Sequence, residues 1–330
     1  MKLRLRSQQK KIKHEFHTVM KTPVVFIIFK RPQTTEKVFE VIRQAKPQKL
    51  FLIADGPRID RPDEVEKCAA ARAIVDQVDW DCEVLKNFSE TNLGCGKRVY
   101  SGLDWVFEHV EEAIILEDDC VPHPSFFPFC ENLLEQYRFD QRITSISGQN
   151  VQLGYRRTQY SYYFSRYSHS WGWATWRRVW RYYDFDMKLW QEVKSTNFLQ
   201  NILMDSHVAR YWTEIFERTY NEHINIWDYQ WTLTCWLQSG LSIIPNVNLV
   251  SNIGFGADAT HFKQKGNKTL YKPIEAMEFP LKHPPSVIRN VQADDFTQRV
   301  AFECGRFEQL KVSLKRVVKK MLGIEPGRGF

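Results

Sequence analysis

Ala113-Ile114-Ile115-Leu116-Glu117-Asp118-Asp119 is an apolar run that ends in three consecutive carboxylates. A short continuous apolar run is the pattern of a strand buried on both faces. Three adjacent acids at its end repel one another, and a divalent cation is a common remedy. Mg²⁺ and Mn²⁺ prefer carboxylate, water and phosphate oxygens, so this strand end points to a metal that holds a phosphorylated substrate. A solvated acidic loop is the competing reading of the triplet taken alone.

The segments before the triplet alternate in type. Val24–Phe29 is another continuous apolar run, and Thr34–Ala45 has helical periodicity that stops before Pro47. Leu50–Ala54 reads as a second strand. Pro62-Asp63-Glu64 reads as the start of a helix that runs to about Gln77, with proline early and acids in the first turn. A short strand near Cys82–Leu85 precedes the loop Asn92-Leu93-Gly94-Cys95-Gly96, which opens a helix reaching Val110. This alternation predicts an α/β fold, a mostly parallel sheet flanked by helices with right-handed crossovers. Ligands of such sheets bind beyond the carboxyl ends of the strands. Lys30-Arg31, Asp55-Gly56 and Glu117-Asp118-Asp119 all fall there.

After about residue 150 the character changes. Nine of the eleven Trp lie between 171 and 236. Helices are expected over Arg177–Tyr183 and Asp228–Gln238, and strands near Leu241–Ile244 and Asn248–Ile253. No linker separates the halves. The expected organisation is a nucleotide-sugar-binding half at 22–150, an acceptor-binding and catalytic half at 151–262, and a C-terminal extension at 263–330. In that extension Leu310, Leu314, Val317, Val318 and Met321 recur at helical spacing among Lys and Arg. Such a helix packs on the domain or lies at a membrane interface.

The net charge of +7 is concentrated at the ends. Residues 1–21 carry +6 and residues 306–330 carry +5, which leaves −4 for the body. A nucleic-acid groove would place its charge in the folded body, so nucleic acid is not the expected partner. Basic ends on an acidic body fit peripheral contact with an anionic membrane or partner. No apolar stretch reaches the roughly 18 residues of a membrane span, and Met1–Lys21 lacks a signal-peptide core. The seven Cys form no CxxC pair and read as reduced thiols of a cytoplasmic protein.

Several residues invite a chemical role. Lys97 and Arg98 stand in the first turn of their helix, where the dipole disfavours cations unless an anion binds. Glycines, amides and two cations there would make a diphosphate site; a solvated pair is the other reading. Asp55 is either a turn former or a carboxylate that accepts from a nucleobase or ribose. Arg31 could pair with phosphate through its forked donors. In His169-Ser170-Trp171-Gly172-Trp173 the two indoles alternate as on a strand, as core or as a platform for the C–H face of an acceptor sugar. Asp228, in Trp227-Asp228-Tyr229-Gln230-Trp231, is a helix cap or a general base. His261 follows a segment with two glycines, the pattern either of a solvent-exposed loop or of one that closes and brings an imidazole to metal or phosphate.

Together these segments resemble the GT-A (Rossmann-like) nucleotide-sugar glycosyltransferases, most closely the N-acetylglucosaminyltransferase I branch and its bacterial relatives. The likeness covers about residues 22–262 and is best over Ile114–Phe129, where Glu117-Asp118-Asp119 is followed by Pro122, Pro124 and Phe126-Phe127. The resemblance implies that Asp119 contacts Mn²⁺ or Mg²⁺, that Glu117 and Asp118 contact ribose and sugar, that Arg31 contacts the diphosphate and that Asp55 reads uracil. It implies Asp228 as catalytic base, although this chain has one Asp between its tryptophans where the family has two. Trp171 and Trp173 fall in the family's aromatic segment. The implied activity is metal-dependent, inverting sugar transfer from a UDP-linked donor to a saccharide or lipid-linked acceptor, in surface polysaccharide or glycan synthesis. The family's Golgi anchor is missing, which implies a cytoplasmic enzyme at the inner face of the membrane. Sugar-phosphate nucleotidyl transfer and non-catalytic binding of a sugar nucleotide are the alternatives.

Overall fold

The computed structural model describes residues 20–254 and 273–302. The predicted alternation is present: β1 (Val24–Ile28), α1 (Pro32–Ala45), β2 (Lys49–Ala54), α2 (Asp63–Val75), β3 (Glu83–Phe88), α3 (Cys95–His109) and β4 (Glu112–Glu117). These give way to a β-hook, β5 (Cys120–Pro122), and to α4 (Phe126–Gln136) and β6 (Ile143–Ser147). Then come β7 (Tyr162–Ser165), β8 (Trp173–Trp176), α5 (Arg177–Trp180), α6 (Trp190–Val193), α7 (Phe198–Leu203) and α8 (Ser206–Asn221). The last elements among the described residues are α9 (Asp228–Leu237), β9 (Leu241–Pro245), β10 (Val250–Asn252) and α10 (Val291–Ala301).

Eight strands form one sheet in the order β3-β2-β1-β4-β8-β6-β9-β7. β1, β2, β3, β4, β6 and β9 run one way, and β8 and β7 run the other. The fold is α/β with a mostly parallel sheet flanked by helices. β1 and β4 are apolar throughout their centres because each lies between neighbours and under helices on both faces. Gly102 in α3 lets the helix sit directly on β2, since a Cβ there would lie 2.7 Å from the Ile53 side chain.

The main hydrophobic core runs from Val24 on β1 through Trp173 on β8 to Trp231 on α9, so it is shared by both halves of the chain. A second aromatic core, with Tyr167, Trp190, Trp212, Phe216 and Trp236, lies beneath α8 and α9. Residues 273–302 of the expected extension belong to the fold: Asn290 N–H donates to the Phe164 carbonyl on β7, and Ser165 Oγ donates to Asp294 on α10. Among the described residues no helix is long and apolar enough to cross a membrane. The basic ends at 1–19 and 306–330 and the periodic stretch Leu310–Met321 lie outside the described residues.

Candidate functional site

The carboxyl ends of β1, β2 and β4 open into a cleft of about 1040 Å³. β8 runs against its neighbours, so the residues that lead into it, Ser170 and Trp171, reach the same rim. The amino end of α9 and one face of α8 close the far wall. Of the residues singled out in the sequence, Arg31, Asp55, Glu117, Asp118, Asp119, Trp171 and Asp228 line this one cleft. A smaller cavity of about 470 Å³ lies along β7 and holds none of them.

The acid triplet divides by environment. Asp118 is buried and tied to the protein: its carboxylate accepts from the Phe29 amide at 3.2 Å and forms an ion pair with Arg31. It thus joins the end of β4 to the end of β1. Asp119 is more open, with its Oδ2 2.9 Å from Arg31 Nη1. Its carbonyl accepts from Ile253 N–H at 2.8 Å, next to the β5–β10 pair. Glu117 is half-buried. Burial, then the charges of Asp119 and Asp118, push its carboxyl up to about 8 despite Arg31. Burial likewise raises Asp118 to about 6, against the attraction of Arg31. The cluster therefore carries more negative charge than its one arginine balances.

Arg31 is held by its own backbone as well. Its carbonyl accepts from the Thr34 and Thr35 amides at the start of α1, with Pro32 at the first helical position, where a missing N–H costs nothing. Lys30, beside it, pairs with Glu64 on α2, and Arg58 pairs with the same carboxylate. Burial alone would raise Glu64, but the bonds from Arg58 and Lys30 outweigh it and hold the carboxyl at about 2. Lys30 was named only for its place at the strand end and Glu64 only as part of a helix start, and Arg58 was not named, yet all three line the cleft. A pair 34 residues apart leaves no periodic signal.

Asp55 shows why the loop after β3 sits where it does. Its carboxylate accepts from the Gly56, Leu93 and Gly94 amides and from Asn92 Nδ2 at 2.8–3.0 Å. Four donors fill the roughly four acceptor positions of a carboxylate. In this structure its oxygens hold the loop after β3, and Asp55 also lines the cleft.

At the start of α3, where an anion was expected, two amides meet a side chain instead. Gly94 has φ 79° and lets the loop from α8 press close, so that Asn225 Oδ1 accepts from Gly96 N–H at 2.7 Å and from Lys97 N–H at 3.4 Å. The helix start is capped by a side chain from 129 residues away. Arg98 is buried and donates to the Ala54 and Asn87 carbonyls, so it clamps β2 and β3. Lys97 is exposed on the surface and is not among the residues that line the cleft.

The two tryptophans part company for a local reason. Gly172 adopts φ 63° and breaks the alternation just before β8 begins. Trp171 therefore stays on the cleft wall, half-buried. Trp173 is 1% exposed and packs against Trp227, Trp231 and Trp180 with centroids 5.1–6.3 Å apart. A direct acceptor contact by Trp173 is thus corrected to a place in the core behind Trp227, which itself lines the cleft. Asp228 stands at the first position of α9, with Oδ1 accepting from the Tyr229 amide at 3.1 Å. It lines the same cleft as the acid cluster, and its charge adds to those that raise Glu117 and Cys95. His261 lies outside the described residues.

No group of three or more His, Cys, Asp or Glu among the described residues could hold a metal ion alone. An all-protein cage does not fit. Mg²⁺ and Mn²⁺ commonly take one or two carboxylates and complete their shell with phosphate oxygens and water. The carboxylate of Asp119, less buried than that of Asp118 and in a cluster with surplus negative charge, fits that kind of site.

No family model matches the sequence, and no curated protein matches it. Solved structures similar in fold include UDP-glucose pyrophosphorylase complexed with UDP-glucose, at 10% identity and TM-score 0.35, over 68% of this chain and 90% of that one. An inositol-1-phosphate CTP transferase from T. maritima matches at 10% identity and TM-score 0.33, over 72% of this chain and 92% of that one. A 4-diphosphocytidyl-2C-methyl-D-erythritol synthase from Anaerococcus prevotii matches at 9% identity and TM-score 0.29, over 53% and 78%. At these values the likenesses do not decide an activity.

Proposed function

We propose that the cleft binds a nucleotide-diphosphate sugar, UDP-linked, with Mn²⁺ or Mg²⁺, and transfers the sugar with inversion to a hydroxyl of a saccharide or lipid-linked acceptor. The observation that carries this reading is that one cavity is lined both by the acid triplet and by Asp228, from a distant part of the chain. Asp119 with Arg31 comes from the strand ends with Trp171 on the same rim, and Asp228 comes from the start of α9. A volume of about 1040 Å³ admits two reactants.

Asp119 would hold the metal, with Glu117 beside it. When bound, the metal neutralises charge that develops on the departing diphosphate. Arg31 offers forked donors to the same phosphates. Asp228 takes the proton from the acceptor hydroxyl as that oxygen bonds to the anomeric carbon. The carbon–oxygen bond to the diphosphate breaks on the opposite face, and its electron pair leaves with the nucleoside diphosphate. Trp171 offers an indole face to the acceptor ring.

Sugar-phosphate nucleotidyl transfer is the second reading, because the similar structures are named for reactions of that kind. Their TM-scores of 0.29–0.35 are too low to carry an argument. The loop after β1 supports glycosyl transfer instead. It is Phe29-Lys30-Arg31-Pro32, whereas a triphosphate-binding loop is usually glycine-rich.

Product analysis separates the two. Full-length protein with Mn²⁺, a panel of nucleotide sugars and saccharide acceptors should release nucleoside diphosphate. Release of pyrophosphate from nucleoside triphosphate and sugar phosphate would replace this reading with the second. Asp228→Asn should lower turnover by about 10²–10⁴-fold and leave donor affinity unchanged. Unchanged turnover would remove Asp228 from the mechanism.

A further inference from the structure

Arg31 makes two ion pairs at once, one from Nη2 to Asp118 and one from Nη1 to Asp119 Oδ2 at 2.9 Å. Its side chain is only 20% exposed and that of Asp119 only 13%. The other side of this pair is closed by backbone. A Cβ added at Gly254 would lie 2.2 Å from Asp119 Oδ2 and 2.8 Å from Arg31 Nη1, so only a glycine lies this close. Gly254 is held there by its amide bond to Asn252 Oδ1 at 2.8 Å, directly after β10. On the remaining side Cys120 Sγ donates to Asp119 Oδ1 at 3.4 Å. The carboxylate best suited to a divalent cation is therefore already served by a fixed positive charge.

We propose that Arg31 is a resident countercharge that a divalent cation must displace from Asp119, and that it yields only when a nucleotide diphosphate offers it another anion. The inference rests on the metal and diphosphate reading of this cleft and adds the order in which the ligands can bind. A cation alone meets the guanidinium at Asp119 Oδ2, and two like charges cannot share that oxygen. A diphosphate alone meets Asp118 and Asp119, two acids that share one arginine. Together they remove both obstacles. The cation takes Asp119, and the guanidinium turns its fork from carboxylate to phosphate, a partner of matching geometry. Asp118 stays buried beneath and keeps one anchor on Arg31 throughout. Coupling of this kind is reciprocal: each ligand tightens the other by the same factor.

The test is a Mn²⁺ titration of the full chain, read by the electron paramagnetic resonance signal of free Mn²⁺, with and without UDP. Wild type should bind Mn²⁺ weakly alone and about tenfold or more tightly with UDP. Arg31→Gln should bind Mn²⁺ alone about tenfold more tightly than wild type, and UDP should add less. Arg31→Lys keeps the charge but loses the planar fork that presents a separate nitrogen to each carboxylate, so it should fall between; it also serves as the readout where the Gln variant does not fold. Mn²⁺ affinity without UDP that is the same in Arg31→Gln and Arg31→Lys as in wild type, while the Mn²⁺–UDP complex still forms, overturns the displacement alone. Absence of Mn²⁺ binding in every protein, even with UDP, overturns it together with the metal reading on which it rests.

Discussion

Glu117 and Glu64 sit on walls of the same cleft and titrate in opposite directions. Glu64 is held at about 2 by Arg58 and Lys30, which outweigh its burial, so the folded state loses that stability as pH falls from 4.5 towards 2. Glu117 is pushed up to about 8 by burial and by Asp119 and Asp118. Between about 4.5 and 8 the folded protein keeps a proton there that the unfolded chain has released, so raising pH removes stability. Among the described residues, burial holds His169 at about 4 and His123 and His283 below their ordinary value, so these three protonate below pH 6.5. Metal-free protein should therefore melt at a lower temperature at pH 8 than at pH 6.5. Glu117→Gln should flatten that difference, and a slope unchanged in the variant would argue against the raised carboxyl.

At the scale of elements, the short-range pattern was readable and the long-range contacts were not. β1, β2, β4 and the helices between them follow from apolar runs, periodicity and proline placement. Acids at a strand end marked the rim of the cleft. Asn225 capping α3, Glu64 binding Lys30 and the β5–β10 pair join residues far apart in the chain, and no local rule connects them. Alternation placed Trp171 and Trp173 on one face, but a left-handed Gly172 between them undid it. The loop after β3 gives a test. Asp55→Ala removes the acceptor of three backbone amides and of Asn92. Donors left unpaired near the interior should cost on the order of 3 kcal/mol in denaturant unfolding. A loss within experimental error would mean that water replaces the carboxylate. Trp173→Ala, by contrast, should cost about 3–5 kcal/mol through a cavity beside three aromatic rings.

For the whole molecule, the continuous sheet and shared core bind the two halves into one unit. Far-ultraviolet circular dichroism reports on the entire backbone, whereas tryptophan fluorescence reports mainly on residues 171–236, where nine of eleven Trp lie. The two signals should trace the same thermal transition. Separate midpoints would show that the halves unfold independently. The fold class was legible because an alternating α/β chain has few ways to close a core. The reversal at β8 was not, since strand direction is set by the partners a strand meets.

That reversal has a consequence for how the molecule could diversify. β8 turns the chain so that one rim is furnished by two stretches of sequence. Arg31, Asp55 and Asp119 come from the first, and Trp171, Arg218 and Asp228 from the second. Substitutions in the second stretch can reshape one wall and leave the strand-end wall intact. A lineage built on this scaffold could change what receives the group while keeping what delivers it, one surface loop or helix face at a time.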